Sequence, residues 1–332
     1  MSANHSPDKK RRQDLGIYYT NPRIVDFIYN VLLIWKDKED KEVQRWESRK
    51  PHAHFPSVID PACGEGIFLQ RAIESGFTGY HPKYNVPYVF GVDLDKTVVD
   101  KWEELSLFKL FKNDRGAIQN HFYCQNGLVE LPDRKLPYKK SEDGLMQYDA
   151  VVGNPPYGGI GLGATELTDD LIAQLAKFEV LPESVKNNLL TVNTQSGLFG
   201  SDKSFSIKSD AAQRIKSFPI EILFLERFIQ LAKPGGWIAV IIPDGILSNS
   251  NAHYVREFIM KRAKVEAIVS LPRGAFKNVG TTAKTSILFL QKYKNQGEKR
   301  DLDYPVFLAS VNSLDAKNLK TTSDSYKDFY HK

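Results

Sequence analysis

Short apolar runs rich in β-branched and aromatic residues alternate along this chain with longer stretches of helical periodicity. Each run is bounded by turn residues or charged residues, which is typical of strands. Strands are predicted in seven places, at 57–60, 88–93, 121–124, 148–153, 237–242, 265–271 and 284–291. Helical patterns separate most of them. The alternation predicts an α/β fold with a mainly parallel seven-stranded sheet and helices on both faces.

A further helix is predicted to begin at Asn21-Pro22, because proline is favoured in the first turn of a helix. Apolar residues then recur at helical spacing and would form one continuous face. That face consists of Ile24, Val25, Ile28, Val31, Leu32 and Trp35.

Changes in composition divide the chain into segments. We expect a disordered basic tail at 1–14, an N-terminal helical element at 15–56 and a core domain at 57–293. Within the core domain, the stretch 158–217 is rich in Gly, Asn, Ser and Thr, and we interpret it as an excursion outside the core. The polar residues 294–332 are expected to form a C-terminal tail.

Composition narrows the class of protein. The 332 residues are 42% hydrophobic and 26% charged, as in ordinary soluble proteins. No apolar run reaches the roughly 20 residues that span a bilayer, and the N-terminus has no signal-peptide pattern. Cys63 and Cys124 are too few for a disulfide framework or a cysteine-based metal site. We therefore expect a cytoplasmic protein with no metal and no membrane partner. The formal net charge of +5 is only a mild bias towards polyanions.

The tetrapeptide Asn154-Pro155-Pro156-Tyr157 directly follows the strand predicted at 148–153. Two prolines fix the backbone and favour an extended residue before them. The side chain of Asn154 and the carbonyl of Pro155 can then lie side by side as hydrogen-bond acceptors, next to the ring of Tyr157. This arrangement suits a planar substrate with an amino group. The alternative is a strand that simply ends in a turn, because Gly158 and Gly159 follow.

A second candidate site lies at residues 58–69, where a strand, a tight glycine-containing loop and a helix start follow one another. The loop contains Gly64 and Gly66 but has no third glycine where a dinucleotide site would need one. Asp60 at the strand end would repel a phosphate. An acid there fits a cationic or amine-bearing ligand better, such as the methionine half of S-adenosylmethionine.

Asp93 ends the next predicted strand, where a carboxylate can accept hydrogen bonds from both hydroxyls of a ribose. The alternative role for this acid is to cap the following helix. Capping is favoured for Asp95 rather than for Asp93. Cys63 is interpreted as a small loop residue and not as a nucleophile.

These motifs together resemble the amino-group DNA methyltransferases, specifically the N6-adenine group in which the cofactor loop precedes Asn-Pro-Pro-Tyr. Within that group the chain is most similar to the modification subunits of type I restriction systems and their relatives. The resemblance covers residues from about 15 to 293 and implies a Rossmann-like, S-adenosylmethionine-dependent methyltransferase fold. Its further motifs are Gly16–Pro22, Asp60–Gly66, Leu231–Trp237, Ile242–Ser248, Leu271–Phe276 and Gly280–Leu288.

The resemblance also implies roles for individual residues. Thr20 would contact the methionine carboxylate, although Asn21 interrupts the family's Thr-Pro pair, and the N-terminal element would close over the cofactor. Asn126 stands where the family usually has an Asp that accepts from the cofactor's adenine amine. The expected cofactor-binding residues are Thr20, Asp60, Ala62, Gly64, Gly66, Asp93, Leu94, Asn126 and Asn154.

In the mechanism that the resemblance implies, a target adenine leaves the DNA duplex and stacks between Tyr157 and Phe276. Asn154, Pro155, Pro156 and Tyr157 would form the catalytic motif, and Asn154 and the Pro155 carbonyl would accept the two amine hydrogens. DNA is the expected partner. We also expect a separate specificity or target-recognition subunit, because few residues follow 291.

Three alternatives stay open at this stage. Asn-Pro-Pro-Tyr also occurs in enzymes that methylate glutamine amides in proteins or guanine amino groups in ribosomal RNA. A non-catalytic nucleic-acid-binding subunit could keep the same fold, although Asp60, Asp93 and the intact tetrapeptide argue against it. A nicotinamide oxidoreductase is the weakest alternative because of the loop at 58–69.

Overall fold

The structure is a computed structural model, and it describes residues 20–46, 56–80, 86–99, 102, 109–111, 115–129, 147–157, 167–183, 185–186, 191–197, 200–206, 215–276, 283–295 and 303–331. The basic tail expected at 1–14 and residues 16–19 of the motif Gly16–Pro22 lie outside this range. In the part of the chain that the structure describes, no helix is both long and apolar enough to cross a membrane.

A single large sheet forms the centre of the molecule. Its eight strands are ordered β10-β8-β9-β7-β4-β1-β2-β3. In chain order they are β1 (Val58–Asp60), β2 (Val89–Asp93), β3 (Phe122–Cys124), β4 (Tyr148–Gly153), β7 (Ala232–Pro243), β8 (Ala263–Ser270), β9 (Thr285–Lys292) and β10 (Phe307–Ser310). Strand β9 is antiparallel to β7 and β8, and the other neighbouring strands are parallel. The predicted mainly parallel α/β fold is confirmed.

Helices cover both faces of this sheet. They are α1 (Pro22–Trp46), α2 (Ile67–Glu74), α3 (Lys96–Val99), α4 (Arg115–His121), α5 (Asp169–Leu175), α6 (Ile220–Leu231), α7 (Asp244–Ser248), α8 (His253–Arg262) and α9 (Ala316–Tyr330). One hydrophobic core joins α1, α2 and α9 to one face of the sheet. The second core joins α5, α6 and α8 to the other face. Each face of the sheet is therefore shielded from water, as parallel strands require.

Helix α1 begins at Pro22, as predicted, and the side chain of Asn21 caps its first turn. The Asn21 side-chain oxygen accepts a hydrogen bond from the Arg23 backbone N–H at 3.0 Å. The predicted apolar face is confirmed, because all six of its residues are at most 2% exposed. This face packs α1 on the sheet. The N-terminal end of the helix lies beside the end of β4.

The expectation of seven strands and a polar tail at 294–332 is wrong for the residues from 303 onward. Strand β10 pairs in parallel with β8 and adds an eighth strand. Helix α9 follows it and packs on α1, where Trp35 donates a hydrogen bond to the Tyr326 hydroxyl. The sequence signal is weak because β10 has only four residues at a half-exposed sheet edge. In α9 the apolar residues Leu319 and Tyr326 are fully buried, and most of the other residues are polar.

Strand β7 begins before the predicted start at 237, and Pro234-Gly235-Gly236 form a bulge within it. Tyr148 of β4 pairs with Ala232 and Ala150 pairs with Trp237, so β7 accommodates extra residues over the same length. Gly235 adopts a positive φ of 78°, which an L side chain rarely takes. Apolar residues on both sides allow the strand to continue past the bulge.

The segment 158–217 is only partly an excursion from the core. Helix α5 and the residues after it pack into the second core, where Leu171, Phe178 and Leu181 are at most 1% exposed. The expectation that this part lies outside the core is wrong, because its apolar residues are spaced for burial on the sheet. Farther along, β5 (Thr191–Gly197) and β6 (Gly200–Ser206) form a separate antiparallel pair.

Candidate active site

The loops that leave the carboxyl ends of the parallel strands meet at one edge of the sheet. This edge is the usual ligand-binding side of an open α/β sheet. The loops after β1, β2, β3 and β4 contain most of the residues predicted to bind ligands, and the strand order places β1 between β4 and β2. The structure therefore brings the two candidate motifs, at 58–69 and 154–157, to neighbouring positions.

Asp60 occupies the centre of this edge, at the end of β1. Its Oδ1 accepts a hydrogen bond from the Ala62 backbone N–H at 3.0 Å. A Cβ added to Gly153 would lie 2.5 Å from the same oxygen, so only glycine permits this close approach before the Asn154 motif. The other oxygen, Oδ2, is buried and has no hydrogen-bond partner among the described residues.

The ionised form of Asp60 is costly in the ligand-free protein. Burial raises the pKa of its carboxyl well above the usual value, the hydrogen bond from Ala62 opposes the rise, and the charge of Asp93 adds to it. A positively charged group placed near Oδ2 would favour ionisation. The site therefore favours a cationic ligand at this point.

The loop after β1 is a tight turn that is held in place by hydrogen bonds to its backbone. Gly64 and Gly66 adopt positive φ angles of 49° and 80°, and Gly66 precedes the first residue of α2. The Gly64 N–H donates to Asp93 Oδ2 at 2.7 Å, and the Trp102 indole donates to the Gly64 carbonyl at 2.9 Å. Burial raises the pKa of the Cys63 thiol, which agrees with a structural role for this cysteine.

Asp93 connects two neighbouring loops through both of its oxygens. Its Oδ2 accepts from Gly64, and its Oδ1 accepts from the Asp95 backbone N–H at 2.8 Å. The helix-capping role belongs to Asp95, whose Oδ1 accepts from the Thr97 backbone N–H at 3.0 Å. Leu94 lies between the two acids and is 48% exposed. A carboxylate oxygen can accept more than one hydrogen bond, so these bonds do not prevent Asp93 from also accepting from a ribose. The ribose contacts of Asp93 stay a prediction.

Asn126, in the loop after β3, uses its side-chain oxygen within its own turn. It accepts a hydrogen bond from the Leu128 backbone N–H at 3.0 Å. The next residue, Gly127, lies against the loop after β1, because a Cβ added there would be 1.9 Å from the Pro61 carbonyl oxygen. The two loops thus touch through backbone atoms at this point.

Thr20 and Asn154 meet across the site. The Asn154 side-chain Nδ2 donates a hydrogen bond to Thr20 Oγ1 at 3.1 Å. This bond fixes the orientation of the amide, since Oδ1 must then lie on the opposite side. Thr20 is 8% exposed, and Pro155 beside Asn154 is also buried.

The rings of Tyr157 and Phe276 touch each other directly. Their centroids are 6.4 Å apart and their planes meet at 81°, which is an edge-to-face contact. Both rings are at most 1% exposed. A flat ring bound between them would require the two planes to turn parallel and separate.

Tyr29 of α1 is a further buried polar group that the sequence did not reveal. Its hydroxyl is buried and has no hydrogen-bond partner among the described residues. Burial, and after it the charge of Asp60, raises the pKa of this phenol well above its usual value. Tyr29 lies inside an apolar helical pattern, so sequence alone offered no signal for it.

No group of three or more His, Cys, Asp or Glu side chains that could hold a metal ion occurs among the residues with a described position. The acids at this edge instead bond to backbone N–H groups of neighbouring loops. These carboxylates are hydrogen-bond acceptors, which suit an organic ligand that carries hydroxyl and cationic groups.

Comparison with solved structures defines the class of fold. A class I S-adenosylmethionine-dependent methyltransferase of Listeria monocytogenes aligns over 100% of this chain and 74% of its own, with a TM-score of 0.53 and 20% identity. A type I restriction-modification methyltransferase subunit of Streptococcus thermophilus aligns over 94% of this chain and 53% of its own, with a TM-score of 0.54 and 16% identity. The chain therefore has the class I S-adenosylmethionine-dependent methyltransferase fold.

At the level of sequence, residues 201–329 match the N-6 DNA Methylase family model. The methylase subunit of the type I restriction enzyme EcoEI from Escherichia coli is 25% identical over 246 residues, which are 71% of this chain and 38% of that protein. The chain thus spans less than two fifths of that relative's length. These findings support the resemblance to N6-adenine DNA methyltransferases of the type I kind. The matched range of the family model includes Phe276 and not the loops at 58–69 and 154–157.

Proposed function

We propose that this protein transfers a methyl group from S-adenosylmethionine to the N6 amine of an adenine flipped out of DNA. The observation that carries the proposal is the contact between two motifs. Asp60 lies against Gly153, directly before the Asn154 motif, so a cofactor on the β1 loop would lie beside a base at Asn154. The similarity of residues 201–329 to N-6 DNA methylases supports the choice of an adenine amine.

The acids of the site fit the proposed cofactor. S-adenosylmethionine has an ammonium group and a sulfonium centre, and the buried Oδ2 of Asp60 has no partner among the described residues. The Asp93 carboxylate, held by Gly64 and Asp95, would accept the ribose hydroxyls. Leu94 offers an exposed apolar side chain next to them, which suits an adenine ring. The bound cofactor would supply an electrophilic methyl group.

Asn154 and Pro155 would act on the target amine. An exocyclic amine of adenine is a weak nucleophile, because its lone pair is delocalised into the ring. Acceptance of both N–H hydrogens by Asn154 Oδ1 and the Pro155 carbonyl favours a localised lone pair directed at the methyl group. Thr20 holds the amide in the required orientation through its bond to Nδ2. Positioning and polarisation then supply most of the catalysis.

Tyr157 and Phe276 would hold the flipped base on its two faces. Base–aromatic stacking contributes roughly 1–3 kcal/mol for each base. The edge-to-face contact of the free protein would open as the base enters. Opening exposes two buried rings, and the incoming base covers them again.

DNA and a specificity subunit are the proposed partners, and restriction-modification or a related defence system is the proposed context. The EcoEI protein is named a methylase subunit of a type I restriction enzyme. The formal net charge of +5 offers this chain few contacts to phosphates. We therefore expect weak, salt-sensitive binding of DNA by the chain alone, with a Kd of roughly 10⁻⁴–10⁻⁶ M at physiological salt. Sequence-specific methylation should require the added partner.

The proposal is tested by Asn154→Ala in a methylation assay that detects N6-methyladenine in DNA by mass spectrometry. The transfer rate should fall by about 10²-fold or more, the usual scale for loss of one preorganised catalytic hydrogen-bonding group. Cofactor affinity, measured by calorimetry, should fall far less than the transfer rate, because Asn154 is only one of several residues expected to contact the cofactor. Activity within tenfold of the wild-type rate would refute the proposed role of Asn154.

The same assay separates the alternative substrates. Ribosomal RNA and a glutamine-containing peptide are offered in parallel with DNA, each with and without co-purified partner proteins. Methyl transfer to either of these acceptors and not to DNA would assign the site to one of the other amide- or amine-methylating groups. Absence of cofactor binding would instead favour a non-catalytic nucleic-acid-binding subunit.

A further inference from the structure

Helix α6 carries a buried cation, Arg227, next to the loop after β3. Arg227 is 1% exposed. Its Nε donates a hydrogen bond to the Gly127 carbonyl at 3.1 Å, and its Nη2 donates to the Val129 carbonyl at 2.7 Å. Its Nη1 donates to Gln230 Oε1 at 3.3 Å, one turn farther along α6. A buried charge is unfavourable unless hydrogen bonds satisfy it. The guanidinium therefore holds both carbonyls of the loop in place.

These two carbonyls lie in the turn that Asn126 closes. Asn126 Oδ1 accepts a hydrogen bond from the Leu128 backbone N–H at 3.0 Å, and the Asn126 carbonyl accepts from the Val129 N–H at 3.0 Å. Arg227 thus binds the residues directly after Asn126 on both sides of Leu128. A shift of either carbonyl would move the Asn126 side chain as well.

The turn at 126–129 also contacts β2 and the loop after β1. The Gln125 N–H donates to the Asp93 carbonyl at 3.0 Å, just before the turn. A Cβ added to Gly127 would lie 1.9 Å from the Pro61 carbonyl oxygen and 3.1 Å from the ring of Phe224 on α6. Helix α6 is therefore one of three neighbours that fix the position of this turn.

A second cation donates to backbone carbonyls at the other end of α6. Lys292 Nζ donates to the Ala232 carbonyl at 2.7 Å and to the Gln230 carbonyl at 3.4 Å. Ala232 pairs with Tyr148, the first residue of β4, so this contact lies at the edge where the parallel strands begin. Arg227 acts at the opposite edge, where these strands end. The two cations make similar bonds and differ in their position relative to the candidate site.

We propose that Arg227 is a positioning residue, which holds the turn at 126–129 so that Asn126 meets the adenine of S-adenosylmethionine. The inference rests on the cofactor half of the proposed function. A guanidinium presents its donors in a rigid plane and fixes two carbonyls at once, whereas a lysine ammonium is a single point of charge. The position therefore requires arginine, and another cation does not replace it fully.

The test compares Arg227→Met with Lys292→Met. Each substitution keeps a long side chain and removes a cation that donates to two backbone carbonyls, so both variants should melt at a lower temperature. Calorimetry then measures the binding of S-adenosylmethionine to the folded variants. The affinity should fall about threefold to tenfold for Arg227→Met, the loss expected for one ordinary hydrogen bond. It should stay at the wild-type value for Lys292→Met, and equal affinities for the two variants would overturn the proposal.

A double-mutant cycle separates positioning from a general loss of stability. Arg227→Lys keeps the charge and can reach one carbonyl, so it replaces Arg227→Met if that variant does not fold. Cofactor affinity is measured for Arg227→Lys, Asn126→Ala and the double variant. Arg227→Lys should weaken binding when Asn126 is present and change it by less than about twofold when Asn126 is absent, because residues that act through one contact are not additive. Additive losses would overturn the proposal.

The outcomes also separate this inference from the proposed function. Wild-type protein that binds S-adenosylmethionine and methylates no DNA would refute the DNA substrate and leave the Arg227 comparison valid. Wild-type protein that binds no S-adenosylmethionine would overturn both. Normal cofactor binding by wild type and by both Arg227 variants would overturn the inference alone.

Discussion

At the scale of single residues, Asp60 is an acid whose ionised form is disfavoured by burial in the ligand-free protein. Asp60 is 1% exposed, and none of the groups that shift its pKa is positively charged. An enzyme tolerates such a residue when the bound ligand supplies the missing charge. Stability and ligand affinity should therefore respond in opposite directions when this carboxylate is neutralised.

Asp60→Asn should stabilise the ligand-free protein and weaken its binding of S-adenosylmethionine. The folded-state pKa of Asp60 lies above its ordinary value of 3.8. Between the ordinary pKa and the raised pKa, the folded protein binds more protons than the unfolded chain. Wild-type stability therefore falls as pH rises through this window. Asparagine keeps an oxygen for the Ala62 N–H and removes the cost of charge.

Thermal melts over a pH series measure this effect, and each kcal/mol gained corresponds to roughly 2–4 °C. The gain should be absent below the ordinary pKa and complete above the raised one. Wild-type affinity for the cofactor should weaken as pH falls through the raised pKa, whereas the variant's affinity should not follow this change. A variant that melts below wild type at neutral pH would contradict the prediction.

The positions of Asp60 and Asn154 were predictable from the sequence, because Asp60 ends an apolar strand, Asn154 directly follows one, and the end of a parallel strand is a common binding position. The burial of the Tyr29 hydroxyl was not predictable, because the spacing of Tyr29 in α1 is that of a core residue. The contact between Thr20 and Asn154 joins residues far apart in the chain, and local patterns do not encode such pairs.

At the scale of elements, glycines allow the loops after β1 and β3 to touch. Gly127 approaches the Pro61 carbonyl so closely that no side chain fits between the two loops. Its neighbour Asn126 closes the turn through Leu128. The backbone of one loop thus supports the backbone of the other, which carries residues proposed to bind the cofactor.

Gly127→Ala should displace the loop after β1 and weaken cofactor binding. The added Cβ would lie 1.9 Å from a backbone oxygen, so the loops must separate. Gly245→Ala is the control, because its Cβ would lie 3.1 Å from the end of the Asn249 side chain, which can move. Calorimetric affinity and melting temperature should both fall for the first variant and stay near wild type for the second. Equal behaviour of the two variants would show that the loop contact has no role.

At the scale of the whole molecule, β10 and α9 complete the structure on one side of the sheet. Tyr326 is fully buried between them and α1, where its ring lies 5.2 Å from that of Phe307. Seven strands were predictable because each is an apolar run; six of them lie inside the sheet and β3 lies at its other edge. The eighth was not, since a short edge strand needs few apolar residues and α9 exposes most of its surface.

Tyr326→Ala should destabilise the protein by about 3–5 kcal/mol, the usual cost of emptying a large aromatic site in a core. Tyr254→Ala serves as the comparison, because Tyr254 is 39% exposed and surface changes usually stay within about 0.5 kcal/mol. Chemical denaturation measures both. Tyr326→Ala with a free energy of unfolding near wild type would show that α9 contributes little to the fold.

The contact between Trp35 and Tyr326 joins residues 291 positions apart. A ribosome that adds about 5–20 residues per second needs on the order of 15–60 s to synthesise this interval. During that time the apolar face of α1 lacks α9, and the helix that follows Thr20 cannot take its final packing. Such a nascent chain exposes hydrophobic surface for long enough to recruit chaperones. The proposed methyl transfer should therefore require that α9 has been synthesised.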